Sequence, residues 1–110
     1  MKLIVAYVQP FLAEKIVQTL HATPGVSGAT VSHARGFGRG RQTAQDEEEI
    51  YGTSARIRVE VAANDDCVTA IVQTITSAAH TGNRGDGKIL VLPLESAIRI
   101  QTREEGTGVL

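Results

Sequence analysis

Two glycine-rich segments that also carry positive charge are the parts of this chain best suited to chemistry. Residues 35–41 read Arg-Gly-Phe-Gly-Arg-Gly-Arg, the first glycine segment, and residues 82–88 read Gly-Asn-Arg-Gly-Asp-Gly-Lys, the glycine loop. Glycine lets the backbone approach a ligand closely, and successive backbone N–H groups can form a concavity that binds anions. The arginines add fork-shaped donors that suit phosphate. Either segment alone is compatible with an ordinary turn, so their combination is what favours a phosphate-bearing ligand.

The other reactive residue types form no recognisable catalytic or metal-binding pattern. His21, His33 and His80 lie far apart in the sequence without ligand-like spacing, and no nucleophile stands beside a base. We therefore expect no catalytic residue, no metal site and no enzymatic activity. The lone Cys67 excludes an internal disulfide. The acidic run at residues 46–49 suits a bound cation, a basic partner surface or a solvated loop.

The composition is that of an ordinary soluble domain. The chain has 110 residues, 42% of them hydrophobic and 21% charged, with a net charge of −1. This length predicts a single domain over residues 1–110. The balanced charge, with only two Phe and two Tyr for stacking, argues against a nucleic-acid partner. No apolar run reaches membrane-spanning length and no signal peptide is recognisable, so we expect a cytoplasmic protein.

The spacing of apolar residues predicts an alternating series of strands and helices. Residues 11–22 have helical spacing, and a second helix begins near Asp65 or Asp66, one of which is expected to cap it. Strands are predicted at residues 3–8, 28–35, 55–61 and 89–92, with a short further strand at 97–100. The order β-α-β-β-α-β is that of the ferredoxin-like α+β fold, an antiparallel sheet with two helices on one face.

The face of the sheet opposite the helices needs a cover of its own. Leu3, Val5 and Val59 are expected on that face, where an apolar surface of a small domain is normally buried. Because both helices are used on the other side, copies of the chain are the simplest cover. The fold therefore predicts a homo-oligomer.

With these segments placed, the chain resembles the PII signal-transduction proteins over nearly its whole length. The combination of Gly-Phe-Gly-Arg with a later Gly-Asp-Gly-Lys is the most specific part of the resemblance. The residues that carry it are 2–11 with Gln9-Pro10-Phe11, Thr30-Val31, Gly36-Phe37-Gly38-Arg39, Asp65-Asp66, Thr81-Gly82, Gly85-Asp86-Gly87-Lys88-Ile89 and Ile98-Arg99-Ile100.

The resemblance implies a trimer of ferredoxin-like subunits with an adenine nucleotide in each of three clefts between subunits. The ligand is ADP, ATP or AMP, no other cofactor is required, and a membrane transporter or an enzyme is the regulated target. One subunit is expected to contribute the Gly36 to Arg39 side of each cleft, and its neighbour the glycine loop and Arg99. The nucleotide-binding residues implied are Thr30, Gly36, Phe37, Gly38, Arg39, Glu60, Ala62, Gly85, Asp86, Gly87, Lys88 and Arg99.

This chain departs from the PII pattern where those proteins bind a second ligand. Gly40 replaces a glutamine that helps hold magnesium with ATP and 2-oxoglutarate, Arg56 aligns near the lysine that pairs with 2-oxoglutarate, and Gln101 replaces a second arginine. We therefore expect a divergent PII-like paralogue that does not sense 2-oxoglutarate. A metal-tolerance or bicarbonate- and carbon-linked trimer that senses a small ion, and a structural trimer without nucleotide, remain alternatives.

Two segments of the chain are expected to be mobile. The loop at residues 40–55 is short and acidic, and it would become ordered on a ligand or a partner. The tail at residues 103–110 is polar and is expected to be flexible. The residues expected to contact a partner are Glu47, Glu48, Glu49, Ile50 and Tyr51.

Overall fold

A computed structural model of the chain describes residues 1–38 and 52–110. Within these residues the helices are α1 (Ala13–His21) and α2 (Val68–Ala79). The strands are β1 (Lys2–Val8), β2 (Thr30–Gly36), β3 (Ser54–Ala63) and β4 (Gly87–Pro93).

The strands form one antiparallel sheet in the order β2-β3-β1-β4. The first and third strands of the chain therefore lie at the centre, and the second and fourth strands, each of which follows a helix, lie at the edges. With α1 after β1 and α2 after β3, this is the ferredoxin-like βαββαβ arrangement. The predicted fold class is confirmed.

Period-two alternation on the central strands builds the core. Ile4, Ala6 and Val8 of β1 are buried together with alternate residues of β3, and the helices add Ile16 and Ile71 to the same cluster. Because both helices contribute to one cluster, they lie on the same face of the sheet. No helix of the described part of the chain is long and apolar enough to span a membrane.

The residues of the opposite face, the open face, differ in one respect from the prediction. Val59 pairs with Ala6, and both residues belong to the core beneath the helices. The expectation that Val59 faces away from the helices is wrong, because the antiparallel register brings odd residues of β3 beside even residues of β1. Val5 lies on the open face, where it pairs with Glu60 on one side and Leu90 on the other.

The start of the second helix also differs from the prediction. Neither Asp65 nor Asp66 caps α2 through its side chain; a short 3-10 turn, Asp65–Cys67, leads into the helix instead. The Asp65 carboxylate accepts a hydrogen bond from the Met1 amino group at 2.8 Å, and this contact lowers the pKa of Asp65. Asp65 therefore ties the beginning of β1 to the beginning of α2.

The predicted strand at residues 97–100 is reduced to one bridge between Ile98 and Glu105. A tight turn makes this bridge, in which the Arg99 N–H donates to the Glu104 carbonyl at 2.9 Å and the Arg103 N–H donates to the Arg99 carbonyl at 2.7 Å. The segment folds back on itself rather than adding to the sheet, so a longer ladder does not form. The flexibility expected for residues 103–110 stays a prediction.

Candidate functional site

A groove of about 750 Å³ opens on the open face at one end of the sheet. The end of β2 and the residues just after it form one wall, the glycine loop and the start of β4 form the other, and side chains of β1 and β3 form the floor. The lining residues are Tyr7, Ala34, Arg35, Gly36, Phe37, Gly38, Arg56, Arg84, Gly85, Gly87, Lys88 and Leu90.

The groove is strongly cationic. Arg35, Arg56, Arg84 and Lys88 all line it, and its described lining contains no carboxylate. Clustered guanidinium and ammonium groups with exposed glycine backbone form the type of surface that binds phosphate. The groove is therefore chemically suited to an anionic ligand.

Close packing against β1 fixes one end of the glycine loop. Gly87 has a φ of 105° and a ψ of −163°, a backbone region that is essentially restricted to glycine. A Cβ at this position would stand 1.7 Å from the Tyr7 carbonyl oxygen. Only a residue without a side chain lets the loop enter β4 this close to the central strand.

Asp86 holds the glycine loop together from within and does not line the groove. Its carboxylate accepts hydrogen bonds from the N–H groups of Thr81 and Gly82, at 2.7 Å and 2.9 Å, and from the Thr81 hydroxyl. Its Oδ2 also lies 3.7 Å from the His80 Nδ1. The hydrogen bond from the Thr81 hydroxyl is the main cause of a lowered pKa for Asp86. The carboxylate thus stabilises the turn that presents the neighbouring glycines.

A second group of polar residues lies on the same face at the far end of the sheet. Thr30 pairs with Glu60 across β2 and β3, whereas Gly36 pairs with Ser54 beside the groove. Six residues of strand separate the two positions, about 20 Å at the rise of an antiparallel strand. Glu60 there forms an ion pair with Arg58, with 3.2 Å between Oε1 and Nε.

Two more predicted residues, Ala62 and Arg99, are taken together with Thr30 and Glu60 as the far group. Ala62 pairs with Leu3, and the Leu94 N–H donates to the Met1 carbonyl, so β4 leaves the sheet at this end. Arg99 follows in the turn beyond β4, where its Nη2 donates to the Val109 carbonyl at 3.3 Å. Arg99 is not among the residues that line the groove.

The comparison with known proteins agrees with this architecture. The sequence model of the family described as "Nitrogen regulatory protein P-II" matches residues 1–104. The chain belongs to the PII family. A protein named nitrogen regulatory protein P-II from Azospirillum brasilense is 38% identical over 109 residues, which cover 96% of each chain. Proteins of the same name from Cereibacter sphaeroides and Bradyrhizobium diazoefficiens are 39% and 38% identical over 113 residues, covering 96% and 100% of each chain.

The structure of this PII protein brings the predicted residues into two separate places. Gly36, Phe37 and Gly38 line the groove together with Gly85, Gly87 and Lys88. Thr30, Glu60, Ala62 and Arg99 do not line it. Arg39 and the expected partner-binding residues Glu47, Glu48, Glu49, Ile50 and Tyr51 lie outside the described residues.

The expected division of the site between subunits needs a correction. The first glycine segment and the glycine loop were expected to come from different chains, but they line one groove of a single chain. The reason is the strand order: the end of β2 and the start of β4 are at the same end of the sheet, on either side of the central pair.

Sequence reasoning missed several lining residues of the groove. Tyr7, Arg56 and Leu90 lie on the open face, and the alternation of β1, β3 and β4 would have placed them there once the register was known. Arg84 and Arg35 belong to the two glycine segments whose arginines were predicted to suit phosphate, but neither was assigned to the nucleotide-binding residues. No grouping of three or more His, Cys, Asp or Glu suited to a metal ion occurs among residues 1–38 and 52–110.

Proposed function

We propose that this PII protein binds an adenine nucleotide, ADP, ATP or AMP, in the clefts between the subunits of a homotrimer. In this proposal the bound nucleotide controls how residues 40–55 engage a membrane transporter or an enzyme in the cytoplasm. PII proteins are regulatory, and we assign no catalytic step to the chain. The observation that carries the proposal is the groove in which Gly36, Gly38, Gly85, Gly87 and four cationic side chains meet.

The phosphates would occupy the cationic part of the groove. Lys88 is exposed and pairs with Tyr7 on the open face, so its ammonium group is available beside the glycine loop. Arg84 and Arg56 add charge on the same side. Charge-assisted hydrogen bonds to phosphate are about twice as strong as neutral ones, which makes the phosphates the main anchor of the ligand.

Two features support a site that is shared between subunits. Thr30 and Glu60 do not line the groove and lie about 20 Å along the strands from its Gly36 end, so they would close on the same ligand most simply from a neighbouring chain. The open face also carries a partly exposed apolar area, with Leu90 and Leu92 each more than two fifths exposed. Burial of such a face against copies of the chain is the usual outcome for a symmetric oligomer.

The second ligand of the family is not part of the proposal. Gly40 has no side chain with which to complete a magnesium site, and Gln101 replaces an arginine. We therefore propose that 2-oxoglutarate is not sensed by this chain. The glycines and cations that remain are sufficient for the nucleotide alone.

Calorimetric titration with ADP, ATP and AMP tests the binding proposal, and light scattering of the same sample tests the trimer. We expect saturable heat with at least one nucleotide and a mass three times that of the 11.7 kDa chain. Absence of binding to all three nucleotides by a folded trimer would favour the structural alternative. A mass equal to one chain would refute the shared cleft.

A further inference from the structure

Gln9 makes a contact that ties the glycine loop to the central strand. It directly follows β1, and its side-chain Nε2 donates to the Gly85 carbonyl at 2.6 Å, across 76 positions of sequence. The residue is half-buried. Pro10 follows it and keeps its backbone extended, and the Leu12 N–H donates to its carbonyl at 3.0 Å. These contacts fix the backbone from which the Gln9 side chain extends.

Gly85, the residue that Gln9 contacts, belongs to the wall of the groove, whereas Gln9 itself does not line the groove. A Cβ on Gly85 would stand 2.6 Å from the Gln9 Nε2, so the loop lies directly against the amide group. A carbonyl oxygen left without a donor beside a phosphate site would repel the ligand, and the Gln9 amide supplies that donor.

We propose that Gln9 is a positioning residue for anion binding in the groove, acting through Gly85. The proposal rests on the nucleotide binding proposed above. Within the glycine loop, Asp86 accepts hydrogen bonds from Thr81 and Gly82, and Gly87 packs the end of the loop against β1. Gln9 supplies a further anchor, which sets the position of Gly85 relative to the strand that carries Tyr7.

The test substitutes Gln9 and compares it with a glutamine that has no such role. Gln9→Met keeps the length of the side chain and removes the donor. Gln18→Met is the matched control, because Gln18 is exposed on α1 and its Nε2 donates to the Glu14 Oε1 of the same helix at 3.4 Å. We expect Gln9→Met to weaken ADP binding about three- to tenfold, the effect of one lost neutral hydrogen bond, and Gln18→Met to bind as the parent does.

Hydrogen exchange of the ligand-free protein provides a readout that does not depend on nucleotide. We expect Gln9→Met to accelerate exchange in residues 82–88 while the helices exchange as in the parent. Gln9→Lys, which keeps a donor, should retain parental exchange in the loop. Local acceleration distinguishes positioning from a general loss of stability, which would raise exchange throughout the chain.

The outcomes separate the two proposals. If the parent binds ADP and Gln9→Met binds it equally well, the role of Gln9 is refuted while nucleotide binding stands. If the parent binds no nucleotide, the proposed function fails, and the exchange data decide about Gln9 alone. Unchanged exchange in residues 82–88 of Gln9→Met would then refute the anchor, and acceleration confined to those residues would support it.

Discussion

Substitution of Gly87 by alanine tests whether the glycine loop is shaped by backbone packing. Alanine at a φ of 105° and a ψ of −163° costs about 1–3 kcal/mol in backbone strain. The added Cβ would also meet the Tyr7 carbonyl oxygen at 1.7 Å and its carbonyl carbon at 2.9 Å. These are backbone atoms of the central strand, so relief requires a shift of β1 or β4, which adds about 1–3 kcal/mol.

The expected total for Gly87→Ala is about 2–6 kcal/mol, a large part of the about 5–15 kcal/mol that stabilises a domain. Substitutions of two other glycines separate the backbone strain from the steric clash. Gly82 has a φ of 89° but open space around its Cβ position, so Gly82→Ala should show the strain without the clash. Gly28 has neither feature, so Gly28→Ala should change the unfolding free energy by less than about 1 kcal/mol.

Chemical denaturation of the three variants at one protein concentration measures this series. The destabilisation should increase in the order Gly28→Ala, Gly82→Ala, Gly87→Ala. Equal unfolding free energies for Gly82→Ala and Gly87→Ala would contradict the argument, because the contact with Tyr7 would then contribute nothing.

Three further predictions concern the ligand and the loop. Lys88→Ala should weaken ADP binding by about 1.5–3 kcal/mol in calorimetry, the range for a charge-assisted hydrogen bond. The control Lys15→Ala, at an exposed position of α1, should bind ADP as the parent does. Equal affinities of Lys88→Ala and the parent would show that Lys88 does not contact the ligand. The hydrogen bonds from Thr81 and Gly82 lower the pKa of Asp86 in the folded state. The Asp86 carboxylate therefore stabilises the fold fully at pH values above its pKa in the unfolded chain, about 3.9, and this contribution is lost as the pH falls through its pKa in the folded state. The gap in unfolding free energy between the parent and Asp86→Asn should therefore narrow from pH 7 to strongly acidic pH, and a constant gap would contradict this role. Titration of 2-oxoglutarate into the ATP- and magnesium-loaded protein should give no tight binding; strong binding would show that another residue replaces the missing glutamine.

The fold could be predicted from the sequence because its signals are local. Alternation in β3 and helical spacing in α2 show which residues share a face without any knowledge of their neighbours. The errors arose where the outcome depends on partners in space. Val59 was placed on the wrong face because the side of a strand depends on its register with Ala6, which sequence alone does not give. Asp65 or Asp66 was expected to cap α2, but neither side chain does, and the Asp65 carboxylate accepts a hydrogen bond from the Met1 amino group instead.

The sequence predicted the chemistry of the site but not how its residues are arranged in space. Glycines and cations in residues 35–41 and 82–88 indicate phosphate-binding chemistry through their residue types alone. Their joint position on a single chain followed only from the strand order, which sets the end of β2 and the start of β4 at the same end of the sheet. The role of Asp86 was also out of reach, because glycine-loop motifs do not show whether a carboxylate faces the ligand or the loop itself.

A mixed-subunit complementation assay tests the shared cleft most directly. Lys88→Ala damages the groove, Arg99→Ala damages the far group, and each variant alone should bind ADP weakly. When the two variants are unfolded together in equal amounts and refolded, random assortment should give about one quarter of the clefts an intact groove from one chain and an intact far group from its neighbour. We expect this fraction of clefts to bind ADP with parental affinity, while trimers mixed without refolding do not. A refolded mixture that binds no better than the separate variants would contradict a site built from two chains.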